Sequence, residues 1–394
     1  MLKQIASVTL MNLRNLPSRI GTSLVIVVGI AGVVGVLVAM LSMSKGFEYT
    51  LKGTGSDARA LLLSAGTTAE LSSYIGPDVL PQLRELPGVQ RDAQGRPLAS
   101  AELVVITELR RSDGDVNVTL RGIEPAGLTI RPEVKLLEGR WFKSGLREIV
   151  AGRAAARQFG NIGVGSELAF RGSRWTVVGV LASGGDSHES ELWTDADTAR
   201  SAFGRPGASS VLAQLEGGGK PADTLRRVKD AVTSDPRFQI DVLGERQYYT
   251  AQSQNVTDNI NILTGVIIGI MAFGAVFGAL NTMYSAVAAR RVEIATLRAI
   301  GFSGLPVVVS VLAEAVALAL AGGAAGALVA YLLFNGMAVS TLGNNFTQIA
   351  FSFAVTPGLI LRGMGWALAI GVVGGLFPAL RAVRRPVVEA LRAA

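Results

Sequence analysis

The sequence predicts an α-helical membrane protein with four transmembrane helices and an α+β extracytoplasmic domain inserted between the first and the second. Three observations lead to this fold class. Four apolar stretches are each long enough to cross a bilayer core of about 30 Å as a helix. A long stretch of mixed composition separates the first from the other three. Lys and Arg gather beside alternate ends of the apolar stretches, as expected for cytoplasmic flanks.

The composition supports a membrane protein. Apolar residues make up 49% of the 394 residues, and charged residues only 17%. The mean hydropathy is +0.41, and such a low charge content is unusual for a soluble protein. The absence of cysteine excludes disulfides and thiolate metal sites. The net charge of +7 does not indicate nucleic-acid binding, because many basic residues flank the apolar stretches.

Residues 1–19 predict an amphipathic helix on the cytoplasmic membrane surface, with Lys3 and Arg14 among its polar positions. Residues 20–43 follow as the first transmembrane helix. This stretch is longer than the roughly 7–15 apolar residues of a cleavable signal peptide, and no A-x-A site follows it. We therefore expect the first span to be retained, with the basic N-terminus in the cytoplasm.

Residues 44–258 predict a folded α+β domain outside the cytoplasm. Short runs rich in Val, Ile and Thr, such as Val116 to Ile123 and Trp175 to Leu181, indicate strands. Helical patterns alternate with these runs, and Gly-Pro and Pro-Gly pairs mark turns between them. The polar segment from Gln247 to Asp258 leads back into the membrane, and it could extend the second span as a helical stalk.

The rest of the chain predicts three more spans, at residues 259–289, 305–336 and 357–380. The outer loop at residues 337–356 contains no Lys or Arg, whereas the tail at residues 381–394 is basic. This charge distribution places both termini in the cytoplasm and the large domain in the periplasm or outside the cell. We therefore expect a multi-pass protein of the bacterial inner membrane.

The charged segment at residues 290–304 is the most informative part of the sequence. Its apolar residues recur at three- and four-residue spacings, and its charges fall elsewhere, which predicts a short amphipathic helix ended by Gly301. The segment makes a tight turn between the second and third spans. A partner on one side of the membrane could therefore push on both spans.

Two motifs carry a resemblance to a known family. They are Arg291-x-Glu293-Ile294-x-x-Leu297-Arg298-Ala299-Ile300-Gly301 before the third span and Pro386-Val387-Val388-Glu389-Ala390-Leu391-Arg392 after the fourth. With one span before the large domain and three after it, the whole chain resembles the MacB-type, FtsX-like permeases of type VII ABC transporters. The tail differs slightly from the family motif, because Val388 is an additional residue after the proline.

The resemblance implies that residues 290–304 form a coupling helix that docks on a separate ABC ATPase subunit. Glu293 and Arg298 would make polar contacts there, and Ile294, Leu297 and Ile300 would fill a groove of the ATPase. The implied coupling residues are Arg290, Arg291, Glu293, Ile294, Leu297, Arg298, Ile300 and Gly301, with Pro386, Glu389 and Leu391 as the tail motif. Arg290 and Arg291 could equally be anchors at the bilayer surface.

No catalytic, cofactor or metal site is expected in this chain. Gly217 to Lys220 lacks the spacing of a P-loop, and Pro221 follows the lysine. We therefore expect ATP and Mg²⁺ to bind to the partner ATPase. His188 is the single histidine, and we interpret its acidic surroundings as a loop tip. A divalent cation would need more converging ligands than this segment supplies.

Two further features lie inside the predicted spans. Glu314 is conspicuous because a lone charge in hydrocarbon costs about 2.5–3.5 kcal/mol on insertion scales, and both a structural and a functional role stay open. Glycines one helical turn apart predict close helix packing. These pairs are Gly265 and Gly269, Gly274 and Gly278, Gly322 and Gly326, and Gly371 and Gly375. Four spans are too few to enclose a sizeable route, so we expect a twofold dimer with an identical or a paralogous protomer.

The sequence therefore predicts a non-enzymatic permease subunit that couples ATP hydrolysis by a separate subunit to motion of its outer domain, a process called mechanotransmission. The expected task is efflux or export of a peptide, drug or lipid. Lipoprotein release and control of a cell-wall hydrolase are alternatives, and so is a membrane-anchored receptor or scaffold without an ATPase. The expected partners are an ABC ATPase, a second protomer, a periplasmic adaptor and membrane lipid, without nucleic acid.

Overall fold

The computed structural model describes residues 2–14, 20–109, 114–158, 162–342 and 348–384. The chain divides into two compact units. The helical unit comprises Met1–Lys45, Asn259–Met337 and Phe353–Ala394, and the α/β unit comprises Gly46–Asp258 and Ala338–Ser352.

The helices are α1 (Leu2–Arg14), α2 (Ile20–Gly53), α3 (Leu80–Arg84), α4 (Pro125–Ile130), α5 (Arg153–Gln158), α6 (Ala196–Phe203), α7 (Pro221–Thr233), α8 (Glu245–Ala289), α9 (Arg291–Ala299), α10 (Gly304–Phe334) and α11 (Pro357–Arg384). Short 3-10 turns lie at Glu70–Ser72 and Ser187–Ser190. The strands are β1 (Arg59–Ser64), β2 (Ala99–Leu109), β3 (Val116–Ile123), β4 (Lys135–Gly139), β5 (Glu148–Gly152), β6 (Glu167–Phe170), β7 (Ser173–Ala182), β8 (Leu192–Asp195), β9 (Ser210–Gln214), β10 (Ile240–Gly244), β11 (Ala338–Leu342) and β12 (Gln348–Ser352).

In the described part of the chain, four helices are long and apolar enough to cross a membrane. They are Ser23–Gly53 within α2, and the whole of α8, α10 and α11. Helix α8 is the longest, with 45 residues, because the polar segment from Gln247 to Asp258 continues the apolar helix without a break. Helix α1 packs on α10, where the Ser310 hydroxyl donates a hydrogen bond to the carbonyl oxygen of Val8 at 3.4 Å.

Glycines allow α10 to approach its neighbours closely. A Cβ atom at Gly322 would lie 2.7 Å from the carbonyl oxygen of Val27 in α2, and one at Gly326 would overlap the backbone of Ala31. Nearer the start of α10, a Cβ atom at Gly371 or Gly375 of α11 would overlap the side chains of Ala319 and Ala315. Small residues thus let the backbones of α2, α10 and α11 come together.

The glycines of α8 behave differently. Within the described residues, a Cβ atom added at any of them would meet no atom within 4 Å. These are Gly265, Gly269, Gly274 and Gly278. Large apolar neighbours such as Ile270 and Phe273 are about two-thirds exposed. The close packing predicted for these two pairs is therefore not found among the described residues, where all four glycines are exposed.

The α/β unit is built on a mixed sheet. Among the described residues, ten strands join it in the order β10-β1-β9-β2-β3-β8-β5-β7-β4, and β6 pairs with β7. The β3/β8 and β5/β7 pairs are parallel, and the other pairs are antiparallel. One apolar core forms around β1, β9 and α7 and contains Leu62 and Val228. A second core forms around β3, β5 and β7 and contains Trp175. The four apolar helices and this mixed domain confirm the predicted fold class.

The segment after α10 completes the α/β unit. The region predicted as an outer loop at residues 337–356 contains an antiparallel hairpin of β11 and β12. The Ala350 amide donates a hydrogen bond to the Ser190 hydroxyl at 2.9 Å, and the Phe351 ring packs edge-on against Phe47 with centroids 5.6 Å apart. Val339, Ile349 and Phe351 suit strands, but sequence alone did not indicate what the hairpin packs against.

Candidate functional site

Helix α9 forms the turn between α8 and α10. It begins at Arg291, directly after the end of α8, and its last helical residue is Ala299. Gly301 then adopts a φ of 99°, a left-handed conformation that favours glycine. The Phe302 amide donates to the carbonyl oxygen of Leu297 at 3.1 Å and the Gly301 amide to that of Arg298 at 3.2 Å. These bonds satisfy carbonyls at the end of the helix, so α9 ends where the glycine predicts.

A buried ion pair ties the start of α9 to α10. The Arg290 Nη1 donates to the Glu314 Oε2 at 2.7 Å, and both side chains are about 5% exposed. Glu314 is thus a paired charge, and most of the Arg290 side chain is covered by its own chain. The docking or anchoring role expected for Arg290 stays a prediction. The sequence carried no signal for the pair, because 24 positions separate its members.

Arg298 ties the other end of α9 to α11. Its Nη1 donates to the carbonyl oxygen of Val383 at 2.8 Å. Nearby, a Cβ atom at Gly304 would overlap the Val383 side chain, so the first residue of α10 also lies against the end of α11. Helix α9 is therefore attached to α11 as well as to α10.

The side chains of α9 divide into an inner and an outer face. Ile294 is 9% exposed, and together with Leu297 it borders a small cavity beside Val8 of α1. Ile294 is therefore largely packed within its own chain, and Val307 and Val311 of α10 border the same cavity. Its expected role in filling a groove of a partner stays a prediction.

The outer face carries an exposed apolar stripe. Val292 is 38% exposed and Ile300 67% exposed, and Thr296 is exposed between them. Four-residue spacing places the three on one side of the helix. The Glu293 side chain, which is 39% exposed, lies beside the stripe and 3.9 Å from Arg290. The sequence did not single out Val292 and Thr296 as candidate docking residues, because periodicity cannot tell which side of α9 faces its own chain.

A second candidate site is a buried ion network in the α/β unit. At its centre, Arg121 of β3 contacts three carboxylates: its Nε donates to Glu191 at 2.8 Å, and its Nη1 donates to Glu70 and to Glu102 at 2.9 Å. All four side chains are nearly inaccessible to solvent. Burial alone would raise the pKa of Glu102, but Arg131 and Arg121 outweigh it and lower that pKa to about 2.

The same network reaches the first residue of α8. Arg131 donates two hydrogen bonds to Glu102, at 2.5 and 2.9 Å, and its guanidinium lies 5.6 Å from the centre of the Trp193 ring. The Arg59 Nε lies 2.6 Å from a carboxylate oxygen of Glu245, which is 1% exposed and begins α8. Strands β1 and β3 and the start of α8 are therefore joined through buried charges.

His188 also lies inside the α/β unit. It is fully buried in the second 3-10 turn, so it is not the loop tip expected from the sequence. Its Nδ1 lies 3.2 Å from Asp186, and its ring packs edge-on against Trp193 and Tyr249. Among the described residues, no group of three or more potential ligands could hold a metal ion. The tail residues Pro386, Glu389 and Leu391 lie outside the described residues.

Four helices that are long and apolar enough to cross a membrane, a short helix between two of them and a mixed domain inserted after the first are typical of a multi-pass membrane protein. Comparison with known families agrees. Residues 20–231 match the family model of the MacB-like periplasmic core domain, and residues 265–387 match that of the FtsX-like permease C-terminal domain.

Individual proteins are similar to this chain at low identity. The chain is 24% identical to the macrolide export ATP-binding/permease protein MacB of Bdellovibrio bacteriovorus, over 95% of this chain and 59% of that protein. It is also 24% identical to the uncharacterized ABC transporter permease YknZ of Bacillus subtilis, over 94% of each chain. The crystal structure of the periplasmic region of MacB from Actinobacillus actinomycetemcomitans is similar with a TM-score of 0.38 and 14% identity, covering 54% of this chain and 95% of that one.

The chain therefore belongs to the family of MacB-like, FtsX-type ABC transporter permeases, and the predicted resemblance is confirmed. It spans 59% of the length of the Bdellovibrio MacB protein, whose name records both an ATP-binding and a permease function.

Proposed function

We propose that this chain is a non-catalytic permease subunit that receives motion from a separate ABC ATPase at α9 and passes it to the α/β unit. In this proposal both termini and α9 face the cytoplasm, and the α/β unit lies in the periplasm or outside the cell. Membership of an ABC permease family supports an ATPase partner. The observation that most supports docking at α9 is the exposed stripe of Val292, Thr296 and Ile300. The rest of the helix is held by contacts with α10 and α11.

The contacts of α9 support the transmission of force. A helix on the surface can pass on a push only if it is firmly attached to what lies behind it. Arg290 attaches α9 to α10 through Glu314, and Arg298 attaches it to α11. A buried charge that loses its partner is strongly destabilising, by about 3–5 kcal/mol when the partner is removed, so we expect α9 to move together with these helices.

The route to the α/β unit runs along α8. This helix is continuous from Glu245 to Ala289, so a displacement at its C-terminal end is expected to reach Glu245. Glu245 contacts Arg59, and the Ser56 amide donates to the same carboxylate at 2.9 Å. We propose that this buried network distributes the motion of α8 into the sheet.

Export of a drug, peptide or lipid is the task that we propose, because the relatives include proteins named for macrolide export. A second protomer and a periplasmic adaptor would complete the assembly. Lipoprotein release and control of a cell-wall hydrolase would use the same motion, and the protein that co-purifies with the α/β unit would distinguish them. A receptor or scaffold would bind no ATPase.

The proposal is tested by co-expressing the tagged chain with candidate ABC ATPases of its source organism. We expect one ATPase to co-purify and its hydrolysis rate to change when the permease is present. Ile300→Glu places a charge in the exposed stripe, and it should reduce recovery of the ATPase at least about tenfold, which corresponds to about 1.4 kcal/mol.

The matched control is Leu146→Glu, which introduces the same charge at a half-exposed leucine of the α/β unit. This variant should bind the ATPase like the unaltered chain. Equal recovery with Ile300→Glu would exclude docking at this stripe. Failure of every candidate ATPase to bind the unaltered chain would favour a receptor or scaffold.

A further inference from the structure

A basic groove lies on the inner side of α9, between the last turns of α8 and α11. Its volume is about 340 Å³. Three of the side chains that line it are arginines, and no acidic side chain lines it among the described residues. The lining of the groove includes Tyr284, Val287, Arg291, Ile294, Arg298 and Arg381. The groove therefore combines several positive charges with an apolar wall.

Two of the arginines are held in place by contacts within the chain. The Arg381 guanidinium lies over the Tyr284 ring, 5.4 Å from its centre, a cation–π contact that restrains the side chain. Arg298 is oriented by its hydrogen bond to the carbonyl oxygen of Val383. A planar guanidinium binds two oxygens of a phosphate or carboxylate at once, and pre-orientation reduces the entropy lost on binding.

The position of the groove indicates what supplies the anion. Helices α8 and α11 are long and apolar enough to cross a membrane, and the groove lies at their C-terminal ends. Arginine and tyrosine at such an end lie at the level of the lipid headgroups. Basic pockets between the ends of membrane helices bind anionic headgroups. Val287 and Ile294 supply an apolar surface beside the charges, which suits the glycerol and the first acyl carbons of a lipid.

We propose that this groove binds the phosphate of an anionic phospholipid, with Arg381 and Arg298 as its main ligands and Arg291 at the rim. The lipid would then join the ends of α8, α9 and α11. The inference goes beyond the coupling function, which uses the opposite face of α9 at Val292 and Ile300. It does not depend on the identity of an ATPase.

The test uses the full chain, purified in detergent and depleted of lipid. Phosphatidylglycerol is titrated against it, and bound lipid is counted by native mass spectrometry while the melting temperature is followed. We expect saturable binding that raises the melting temperature, because a ligand that binds the folded state stabilises it. Phosphatidylcholine with the same acyl chains, and inorganic phosphate, should do neither.

The variant Arg381→Gln should weaken binding about tenfold, as expected for the loss of one charge-assisted contact. Arg384→Gln is the matched control, because this exposed arginine lies one turn further along α11 and does not line the groove. It should bind phosphatidylglycerol like the unaltered chain. If Arg381→Gln cannot be purified folded, Arg381→Lys replaces it and should weaken binding several-fold, because lysine lacks the planar fork.

Equal phosphatidylglycerol binding by the Arg381 variant and the unaltered chain would overturn the proposal, and so would an equal rise in melting temperature with phosphatidylcholine. A rise in melting temperature with inorganic phosphate alone would also overturn it, since the groove would then be a site for a free anion. None of these results affects docking of an ATPase, which is measured by co-purification and by the hydrolysis rate.

Discussion

Arg290 and Arg121, which belong to different units, have similar surroundings. Each is a buried arginine that forms ion pairs with carboxylates of other elements. Such groups add little net stability compared with apolar residues of the same size, but the loss of one partner leaves a buried charge. Arg121 contacts Glu70, Glu102 and Glu191, so a relative shift of these elements would separate opposite charges. Buried arginines therefore favour one arrangement of the surrounding elements.

The Arg290–Glu314 pair can be tested by a double-mutant cycle. We expect Arg290→Met or Glu314→Met alone to destabilise the protein by about 3–5 kcal/mol, because each leaves the other group buried without its charged partner. The combined Arg290→Met and Glu314→Met variant should be more stable than either single variant. Thermal unfolding in detergent measures the effect, with Arg362→Met as a control at an exposed position of α11. Additive losses would show that the pair does not act as a unit.

Glu102 predicts a specific pH dependence. Its pKa is about 2 in the folded protein, below its ordinary value of 4.5, so the unfolded chain takes up a proton first as the pH falls. The contribution of ionised Glu102 to the free energy of unfolding is complete above about pH 4.5. It should decline by up to about 3 kcal/mol as the pH falls towards 2.

Tryptophan fluorescence during urea unfolding measures this decline, because Trp175 and Trp193 are buried in the α/β unit. Glu102→Gln should destabilise the unit by about 3–5 kcal/mol at pH 7 and flatten the decline. Glu133→Gln is the control, since that carboxylate is 35% exposed although it pairs with Arg59. A pH profile of Glu102→Gln that matches the unaltered chain would assign the decline to other groups.

At the scale of elements, packing decides which residues of a helix are available to a partner. Helix α9 has apolar residues on two sides. Ile294 is covered by its own chain, whereas Ile300 is exposed. In the same way, glycine pairs occur in both α8 and α10, but only those of α10 contact another described helix. A repeated spacing indicates that a close approach is permitted, and the tertiary fold determines whether it occurs.

This difference between glycines can be measured. Gly326→Val would place a branched side chain against the Ala31 backbone, and overpacking of this kind costs about 1–3 kcal/mol. Gly269→Val adds the same side chain on the open side of α8, where we expect no loss of thermal stability in the isolated protomer. Equal melting temperatures for the two variants would contradict the packing of α2 on α10.

The sequence was sufficient for the four apolar helices, the mixed domain and the end of α9 at Gly301, because hydropathy, periodicity and glycine are local signals. It was insufficient for the pairing of Arg290 with Glu314, for the burial of His188, and for the position of the β11–β12 hairpin. Each of these depends on contacts between residues that are distant in the chain, and a single sequence does not report such contacts. Glu314 could be recognised as exceptional, but its partner could not.

At the scale of the whole molecule, the proposed topology places α9 and the α/β unit on opposite sides of the membrane. The chain has no cysteine, so single cysteines can be introduced without background. Ser234→Cys, exposed in the α/β unit, should react with a membrane-impermeant maleimide in intact spheroplasts. Thr296→Cys, exposed on α9, should react only after the membrane is opened. Labelling of both in intact spheroplasts would refute the topology.

The β11–β12 hairpin has a consequence for the modularity of the protein. The α/β unit is assembled from Gly46–Asp258 and Ala338–Ser352, so four peptide connections link it to the helical unit. A chimera that exchanges only the larger segment with a relative would retain a foreign hairpin against the new domain. Functional chimeras are therefore expected to require both segments from the same relative. A substitution at one side of the Ala350–Ser190 contact should be accompanied by a compatible residue at the other.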